Sequence, residues 1–314
     1  MKIVFFGSAH FAVPALEALL KSPDEVCCIV TQPDKRKGRG LRLLATDVKS
    51  VAQKAGLDIY QPEDVNAPES VKYISKFNPD LLVVVAYGQL LSREVLEIPG
   101  IFAINIHASL LPKYRGAAPI NWAIIRGEKI TGVSIIKLIE RMDAGPMLGQ
   151  KEIAIGQADD SLSLENKLSS LGAGLLLEAL KEIKNESYKL IAQDETKVIM
   201  APKLKKLDGC INWDKPALEI LNLIRGSLPW PGAFTYYQGK LLKIGKAEIG
   251  PSISGKPGSR EGVVLNADKE GLEIMARGSS LLIKELQPES KRKMSAAEFV
   301  SGYKIKAGDA FGKK

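Results

Sequence analysis

Few residues of this chain can hold a metal ion or form a covalent cross-link, since its 314 residues include three cysteines and two histidines. Cys27 and Cys28 are adjacent in an apolar, strand-like run, where neighbouring side chains point to opposite faces, so a disulfide between them is not expected. The cysteines and histidines do not have the spacing of metal ligands. The sequence therefore predicts metal-free chemistry in a reducing, cytoplasmic compartment.

The chain also has no long hydrophobic run. Gly7, Ser8 and His10 interrupt the apolar stretch at the N-terminus, which leaves no adequate hydrophobic segment for a signal peptide. Nothing approaches the ~18–20 apolar residues that a membrane-spanning helix needs. With 45% hydrophobic and 25% charged residues, the composition is that of an ordinary globular protein, and no membrane partner is expected.

A third absence concerns the glycines that bind a dinucleotide. The first strand–helix turn reads Gly7-Ser8-Ala9-His10-Phe11-Ala12. It lacks the G-x-G-x-x-G spacing that lets a backbone approach a pyrophosphate. Hydride transfer with a nicotinamide cofactor is therefore not favoured.

The first 185 residues alternate strands and helices. Helical patterns separate four buried-strand runs, which are Ile3–Phe6, Val26–Thr31, Asp80–Ala86 and Phe102–His107. Two antiparallel strands are expected at residues 131–139 and 150–155, followed by a long amphipathic helix at 162–183. This alternation indicates an α/β fold with a Rossmann-like, doubly wound sheet, whose ligands bind at the carboxyl ends of the strands.

The alternation ends after residue 185. Residues 186–206 have no periodic pattern and are interpreted as a linker. Residues 207–314 contain short apolar runs separated by Gly and Pro, which predicts a small, OB-like β-barrel with one helix at Lys215–Arg225. The predicted organisation is therefore a catalytic domain at 1–185, a linker at 186–206 and a C-terminal domain at 207–314.

The net charge of +8 is distributed unevenly. Residues 206–314 hold 18 basic and 12 acidic residues, an excess of six, whereas residues 1–205 hold 26 and 24, an excess of two. A basic C-terminal region suggests a polyanionic partner, with nucleic acid first. Solubility alone would explain the same excess, so composition leaves both interpretations open.

Polar residues cluster at the predicted end of the strand that finishes at His107. Asn105 and His107 are two residues apart and therefore share one face of that strand. Asp143 lies in a tight turn after a later strand, and a carboxylate beside an imidazole fixes the orientation of the ring. Placement alone would equally allow a hydrogen-bonded core asparagine and a packed histidine. However, residues 109–119 are apolar, small and turn-rich, which suits packing beside a flat ligand.

These residues resemble the signature of the folate-dependent formyltransferases, which transfer the formyl group of 10-formyltetrahydrofolate to an amine. The resemblance rests on Asn105-x-His107, on Ser109-Leu110-Leu111-Pro112 followed by Tyr114-Arg115-Gly116, and on Asp143. It implies Asn105, His107 and Asp143 as catalytic residues. It also implies 10-formyltetrahydrofolate as the co-substrate, without a metal, along Ser109, Leu110, Leu111 and Pro112.

Three further stretches resemble the methionyl-tRNA formyltransferase branch of that family. The basic loop Lys35-Arg36-Lys37-Gly38-Arg39-Gly40 follows the second strand, and two motifs lie at residues 229–234 and 286–299. The resemblance runs from Ile3 to about Gly308. It implies initiator methionyl-tRNA as the partner and no obligate protein partner. The implied tRNA contacts are Arg36, Arg39 and Arg42.

The resemblance implies a reaction in which the amine of the substrate is the nucleophile. Asn105 would donate to the developing oxyanion, and His107, held by Asp143, would donate to the same oxygen and help to move protons. Two other functions stay open here. A formyltransferase for a small amine, such as an amino sugar nucleotide, needs no basic loop of this kind. A non-catalytic RNA-binding protein on a Rossmann-like scaffold would not explain the three polar site residues together.

Overall fold

The computed structural model describes residues 1–37, 42–251 and 260–312. Two compact units account for them. Unit 1 comprises Met1–Pro119, Ile130–Ala154 and Leu164–Pro202, and unit 2 comprises Ile120–Lys129, Ile155–Ser163 and Lys203–Lys314. Each unit is discontinuous in sequence, whereas the domains expected from the sequence are contiguous. The boundaries at 185 and 207 stay a prediction.

A seven-stranded sheet lies at the centre of unit 1. In chain order the strands of this unit are β1 (Lys2–Gly7), β2 (Glu25–Val30), β3 (Lys35–Lys37), β4 (Arg42–Leu44), β5 (Ile59–Tyr60), β6 (Leu81–Val85), β7 (Phe102–His107), β8 (Ile130–Lys137) and β9 (Met147–Ala154). The sheet has the order β5-β2-β1-β6-β7-β8-β9, and β3 and β4 form a separate hairpin. The first five strands of the sheet are parallel, and β8 and β9 are antiparallel. The predicted Rossmann-like sheet is confirmed.

Helices cover this sheet because its central strands are apolar on both faces. All five residues of β6 are buried, as expected for a parallel strand between two helical layers. The helices of unit 1 are α1 (Val13–Leu20), α2 (Asp47–Lys54), α3 (Pro68–Ser75), α4 (Arg93–Leu96) and most of α6 (Ser161–Lys184), whereas α5 (Pro119–Ile125) lies, apart from Pro119, in unit 2. Within the described ranges, no helix combines the length and the apolar character that crossing a bilayer requires.

Unit 2 is built on an antiparallel sheet. Its elements are α7 (Ala217–Gly226), β10 (Phe234–Tyr237), β11 (Lys240–Ile249), β12 (Val264–Asp268), β13 (Gly271–Ala276), β14 (Ser279–Pro288), β15 (Met294–Ser295) and α8 (Ala296–Tyr303). The strand order is β10-β11-β14-β13-β12, with β15 on β14. Phe311 pairs with Tyr237 at one edge, and Ala310 pairs with Val263 near the other, so a short segment links both edges into a barrel.

Residues 191–201, which belong to the segment 186–206 interpreted from the sequence as a linker, make specific backbone contacts within unit 1. Met147 and Ile191 exchange two hydrogen bonds, with N–O distances of 2.8 and 2.9 Å. Arg115 donates its backbone N–H to Ile199, and its carbonyl accepts from Ala201. This segment therefore lies along the loop that follows β7, and it contributes to the site described next.

Candidate active site

Strand β7 ends in two polar side chains that share a face. Asn105 pairs with Val84 of β6 on one side and with Ile136 of β8 on the other, and His107 pairs with Ser134 of β8. The side chain of Asn105 is half-buried and makes no hydrogen bond to another described residue. Its amide is therefore available to a ligand at the carboxyl edge of the sheet.

The imidazole of His107 is held from two sides. The ring is 6% exposed, and its Nε2 lies 2.9 Å from the carbonyl oxygen of Tyr114. A carbonyl oxygen only accepts, so Nε2 carries a proton and donates. The other ring nitrogen, Nδ1, lies 3.5 Å from Oδ1 of Asp143. Each nitrogen faces an acceptor oxygen, which fixes the plane of the ring.

Asp143 joins the histidine to the loop after β7. The residue is 8% exposed, and its backbone has a φ of 51°, in the left-handed region. One carboxylate oxygen faces His107, and the other, Oδ2, accepts the backbone N–H of Gly116 at 2.9 Å. The structure thus brings His107 and Asp143 together, and β7 places Asn105 beside them on the same strand face.

The loop from Ser109 to Gly116 is fastened to the antiparallel edge of the sheet. The hydroxyl of Ser134, on β8, donates to the Ser109 carbonyl at 2.6 Å and accepts the Leu111 N–H at 3.0 Å. Gln150, on β9, donates to the Leu111 carbonyl at 2.8 Å. The hydroxyl of Ser109 donates to the carbonyl of Lys113. These contacts hold the loop in a fixed position against the sheet.

The four predicted folate-lining residues differ in exposure. Ser109 and Leu111 are buried, and the Ser109 hydroxyl is engaged inside the loop. Leu110 and Pro112 are half-buried, and the peptide between Leu111 and Pro112 is cis. The accessible apolar surface of this segment therefore comes from Leu110 and Pro112, whereas the other two residues shape its backbone.

Arg115 anchors the far end of the loop. It is 4% exposed, and its Nε and Nη2 donate to Oε1 of Gln193 at 3.0 and 2.8 Å. Its two terminal nitrogens donate to Glu195 at 3.2 and 2.9 Å, which holds the pKa of the Glu195 carboxyl below its ordinary value. At Gly116, with φ of 123°, a Cβ would stand 2.6 Å from the carbonyl oxygen of Ala201. Glycine is needed there.

Two family models match the chain: formyl transferase over residues 1–180, and the formyl transferase C-terminal domain over residues 203–304. A methionyl-tRNA formyltransferase of Citrifermentans bemidjiense is 43% identical over 314 residues, which is 100% of this chain and 97% of the relative. One of Caldanaerobacter subterraneus subsp. tengcongensis is 44% identical over 309 residues, 98% of this chain and 99% of the relative. The chain belongs to the methionyl-tRNA formyltransferase family.

Solved structures of formyltransferases share the fold. WlaRD, a sugar 3N-formyl transferase, superimposes with a TM-score of 0.67 at 19% identity, over 93% of this chain and 99% of its own. HypX of Aquifex aeolicus, in complex with tetrahydrofolic acid, gives 0.64 at 19% identity, over 98% of this chain and 48% of its own. At such identities the likeness concerns the fold alone. The α/β sheet domain followed by a β-domain is confirmed.

The basic loop typical of methionyl-tRNA formyltransferases is described in part. Arg36 and Arg42 belong to the β3–β4 hairpin, in which Arg36 pairs with Leu43 and Lys37 with Arg42, and only their backbone is described. Arg39 lies outside the described residues.

The base of this hairpin is held by Asp34. Its carboxylate accepts from Nζ of Lys49 at 2.7 Å and from Nε2 of Gln61 at 2.8 Å. The hydrogen bond from Lys49 holds the pKa of the Asp34 carboxyl below its ordinary value. The chain therefore enters the basic hairpin from a fixed position.

Sequence reasoning did not identify Gln193. It lies in the segment interpreted as a linker, and a single amide in an aperiodic stretch gives no local signal. The one available sign was Arg115, because an arginine inside an apolar loop needs acceptors from elsewhere in the chain. In the structure, Gln193 and Glu195 are those acceptors.

Proposed function

We propose that this chain transfers the formyl group of 10-formyltetrahydrofolate to the amino group of initiator methionyl-tRNA, giving N-formylmethionyl-tRNA for translation initiation. The observation that carries the proposal is the 43% identity, over the full chain, to a methionyl-tRNA formyltransferase. The pairing of His107, at the end of β7, with Asp143, in the turn after β8, supports the chemistry. A cytoplasmic location is proposed with it, because the substrate is an aminoacyl-tRNA used in translation.

In this proposal Asn105 stabilises the charge that develops on the formyl oxygen. The amine attacks the formyl carbon, and the carbonyl oxygen becomes an oxyanion. The amide N–H of Asn105 is free among the described residues and lies at the strand end, so it can donate to that oxygen without losing another bond. Loss of one such donor typically lowers the rate by about 10²–10³-fold.

His107 and Asp143 assist the same step. The carbon–amine bond forms first, and the bond between the formyl carbon and the folate nitrogen breaks when the oxyanion collapses to a carbonyl, so over the reaction the amine gives up one proton and the folate nitrogen takes one. We assign this transfer to His107, oriented by Asp143. Its Nε2–H, which donates to the Tyr114 carbonyl in this structure, would donate instead to the oxyanion when substrate is bound; this proton then passes to the leaving folate nitrogen, and Nε2 takes the proton that the amine gives up. General acid–base help of this kind contributes about 10²–10⁴-fold.

The folate is proposed to lie along the loop after β7. Leu110 and Pro112 would supply apolar contact, while Ser109 and Leu111 shape the backbone that faces the ligand. The contacts that hold this loop to Ser134 and Gln150 support a preformed surface, which limits the entropy lost on binding.

The tRNA is proposed to contact the basic hairpin and the C-terminal domain. Arg36, Arg39 and Arg42 stand in a glycine-containing stretch that can approach a phosphate backbone closely. Residues 207–314 hold most of the excess positive charge, which suits phosphate contacts without sequence readout. The catalytic domain at 1–185 would then supply the chemistry.

The test is a direct assay. The protein is incubated with labelled 10-formyltetrahydrofolate and either methionyl-tRNA or an amino sugar nucleotide. The amino acid is then released from the tRNA and analysed. We expect labelled formylmethionine and no labelled amino sugar. Formylation of the small amine alone would instead support the alternative function.

A further inference from the structure

The turn that carries Asp143 is held by a side chain that takes no part in the proposed chemistry. Nε2 of Gln193 donates to the carbonyl oxygens of Asp143 and Gly145, at 2.8 and 2.7 Å. The amide therefore spans the turn and uses both of its donors on the backbone around the carboxylate.

The other end of the same amide is fixed by the loop after β7. Oε1 of Gln193 accepts two hydrogen bonds from Arg115, which is almost fully buried. The backbone of Arg115 is itself paired with Ile199 and Ala201. Gln193 thus bridges two segments, one on each side of His107. The Arg115 segment adjoins Tyr114, whose carbonyl accepts from His107, and the other segment provides Asp143.

Asp143 depends on such support for its geometry. Its φ of 51° lies in a region that non-glycine residues seldom adopt, so the surroundings must hold it there. The distance of 3.5 Å from Oδ1 to Nδ1 of His107 is already at the long end for an interaction between these groups. A small displacement of the turn would therefore separate the carboxylate from the ring.

We propose that Gln193 is a positioning residue for formyl transfer: by bridging Arg115 to the carbonyls of Asp143 and Gly145, it sets the distance between Asp143 and His107. This inference rests on the proposed roles of Asp143 and His107. Gln193 touches neither the imidazole nor the carboxylate among the described contacts, so it acts through the backbone of the turn.

Two substitutions of Gln193 test what the donor and acceptor ends of its amide contribute. Gln193→Glu keeps an acceptor for Arg115 but loses the N–H donors and sets a carboxylate oxygen against two carbonyls. Gln193→Met has similar length and removes both functions. The matched control is Glu195→Gln, because Glu195 is exposed, binds the same guanidinium, and meets the Asp143 turn only through the exposed side chain of Arg141, not through the backbone. Thermal melting establishes that each variant is folded.

We expect both Gln193 variants to lower kcat by about 10–100-fold, the scale of a misplacement near 1 Å, with KM for each substrate within about twofold of the parent. Glu195→Gln should keep kcat within about twofold. A second readout is the imidazole spectrum, since the chain has two histidines. The ¹⁵N signals of His107 should move in the Gln193 variants and stay in Glu195→Gln, while those of His10 serve as the reference.

The outcomes distinguish this inference from the proposed function. If Asp143→Asn is inactive while both Gln193 variants keep the parent kcat and the His107 signals, the positioning role is wrong and the proposed function stands. Equal losses in Glu195→Gln and the Gln193 variants would also overturn it, because the effect would then belong to Arg115 as a whole. If Asp143→Asn keeps the parent rate, the role assigned to Asp143 fails and the positioning role of Gln193 fails with it, whereas the proposed function fails only if the parent protein does not formylate methionyl-tRNA. Should Gln193→Glu not fold, Gln193→Met supplies the same comparison.

Discussion

His107 occupies its position because three separate parts of the chain meet around it. Strand β7 supplies the residue, the following loop supplies the Tyr114 carbonyl, and a turn after β8 supplies Asp143. The pairing of Asn105 with His107 could be predicted, since side chains two apart in a strand share a face. The Tyr114 carbonyl could not, because every residue has one and only the folded loop selects it.

The roles proposed for Asn105 and His107, both on β7, can be tested by removing each side chain. We expect Asn105→Ala and His107→Ala each to lower kcat by roughly 10²–10⁴-fold, because each removes a donor from the reacting oxygen. Affinity for methionyl-tRNA should stay nearly unchanged, as measured by filter binding. The matched control is His10→Ala, which removes the chain's other, exposed histidine and should keep the parent rate. Parent turnover by His107→Ala would remove it from the mechanism.

The proposed reaction should not depend on a metal ion. Among the residues that the structure describes, no group of three or more His, Cys, Asp and Glu side chains is arranged to hold a metal ion. The proposed reaction takes its nucleophile from the substrate and its donors from Asn105 and His107. We therefore expect dialysis against EDTA to leave turnover unchanged. Activity that disappears with EDTA and returns with zinc would contradict this.

At the element scale, the central parallel strands β1, β2, β6 and β7 could be predicted from the sequence because burial on both faces leaves continuous apolar runs, whereas the short strands β3, β4 and β5 were not predicted. The predicted runs at Ile3–Phe6 and Phe102–His107 correspond to β1 and β7, and Lys215–Arg225 overlaps α7. Residues 191–201 were different. They pair with Met147 and Arg115 through isolated bridges, and such contacts need neither a period of two nor of 3.6 in the sequence. Nothing local in that segment marks it as part of the site.

The basic hairpin is expected to act in turnover and not only in binding tRNA. Asp34, held by Lys49 and Gln61, fixes where the loop begins, and we propose that a basic residue of this loop contacts the reacting end of the tRNA. We expect Arg39→Ala to lower kcat at saturating tRNA, while the slope of log K against log salt changes by no more than the value for a single phosphate, about 0.9 in a duplex. Lys54→Ala, an exposed lysine at the end of α2, is the control. A change in KM alone would make Arg39 a simple binding residue.

At the scale of the whole molecule, deletion is a poor test of the C-terminal charges. Residues 120–129 and 155–163 belong to unit 2 and are bonded to it. Asn121 donates to the Gly226 carbonyl at 2.8 Å, and Ser161 donates to that of Leu228 at 2.5 Å. Removing residues 207–314 would leave these segments without their partners. The composition predicted where the charge lies, but not this interleaving, because long-range contacts leave no local pattern.

The charges themselves can instead be neutralised in the intact chain. Lys243 pairs with Gln287 across β11 and β14, and Gln287 donates to the Lys291 carbonyl, so both lysines lie on one part of the barrel. Both are exposed and form no ion pair with a described residue, unlike Lys246 and Lys293, which share Glu285. Unpaired lysines are free to displace counterions from phosphates.

We therefore expect Lys243→Gln with Lys291→Gln to weaken methionyl-tRNA binding and to reduce the slope of log K against log salt by about 0.9 for each duplex phosphate that the variant no longer neutralises. Turnover at saturating tRNA should remain close to that of the parent, because the role proposed for these lysines is to neutralise phosphates and not to take part in the chemistry. The control makes the same change of charge in unit 1, with Lys72→Gln and Lys181→Gln, both exposed and without an ion pair to a described residue.

If the two double variants reduce the slope of log K against log salt equally, the effect is one of net charge. If neither double variant changes the slope, Lys243 and Lys291 do not bind phosphates, and the excess positive charge of unit 2 has another role.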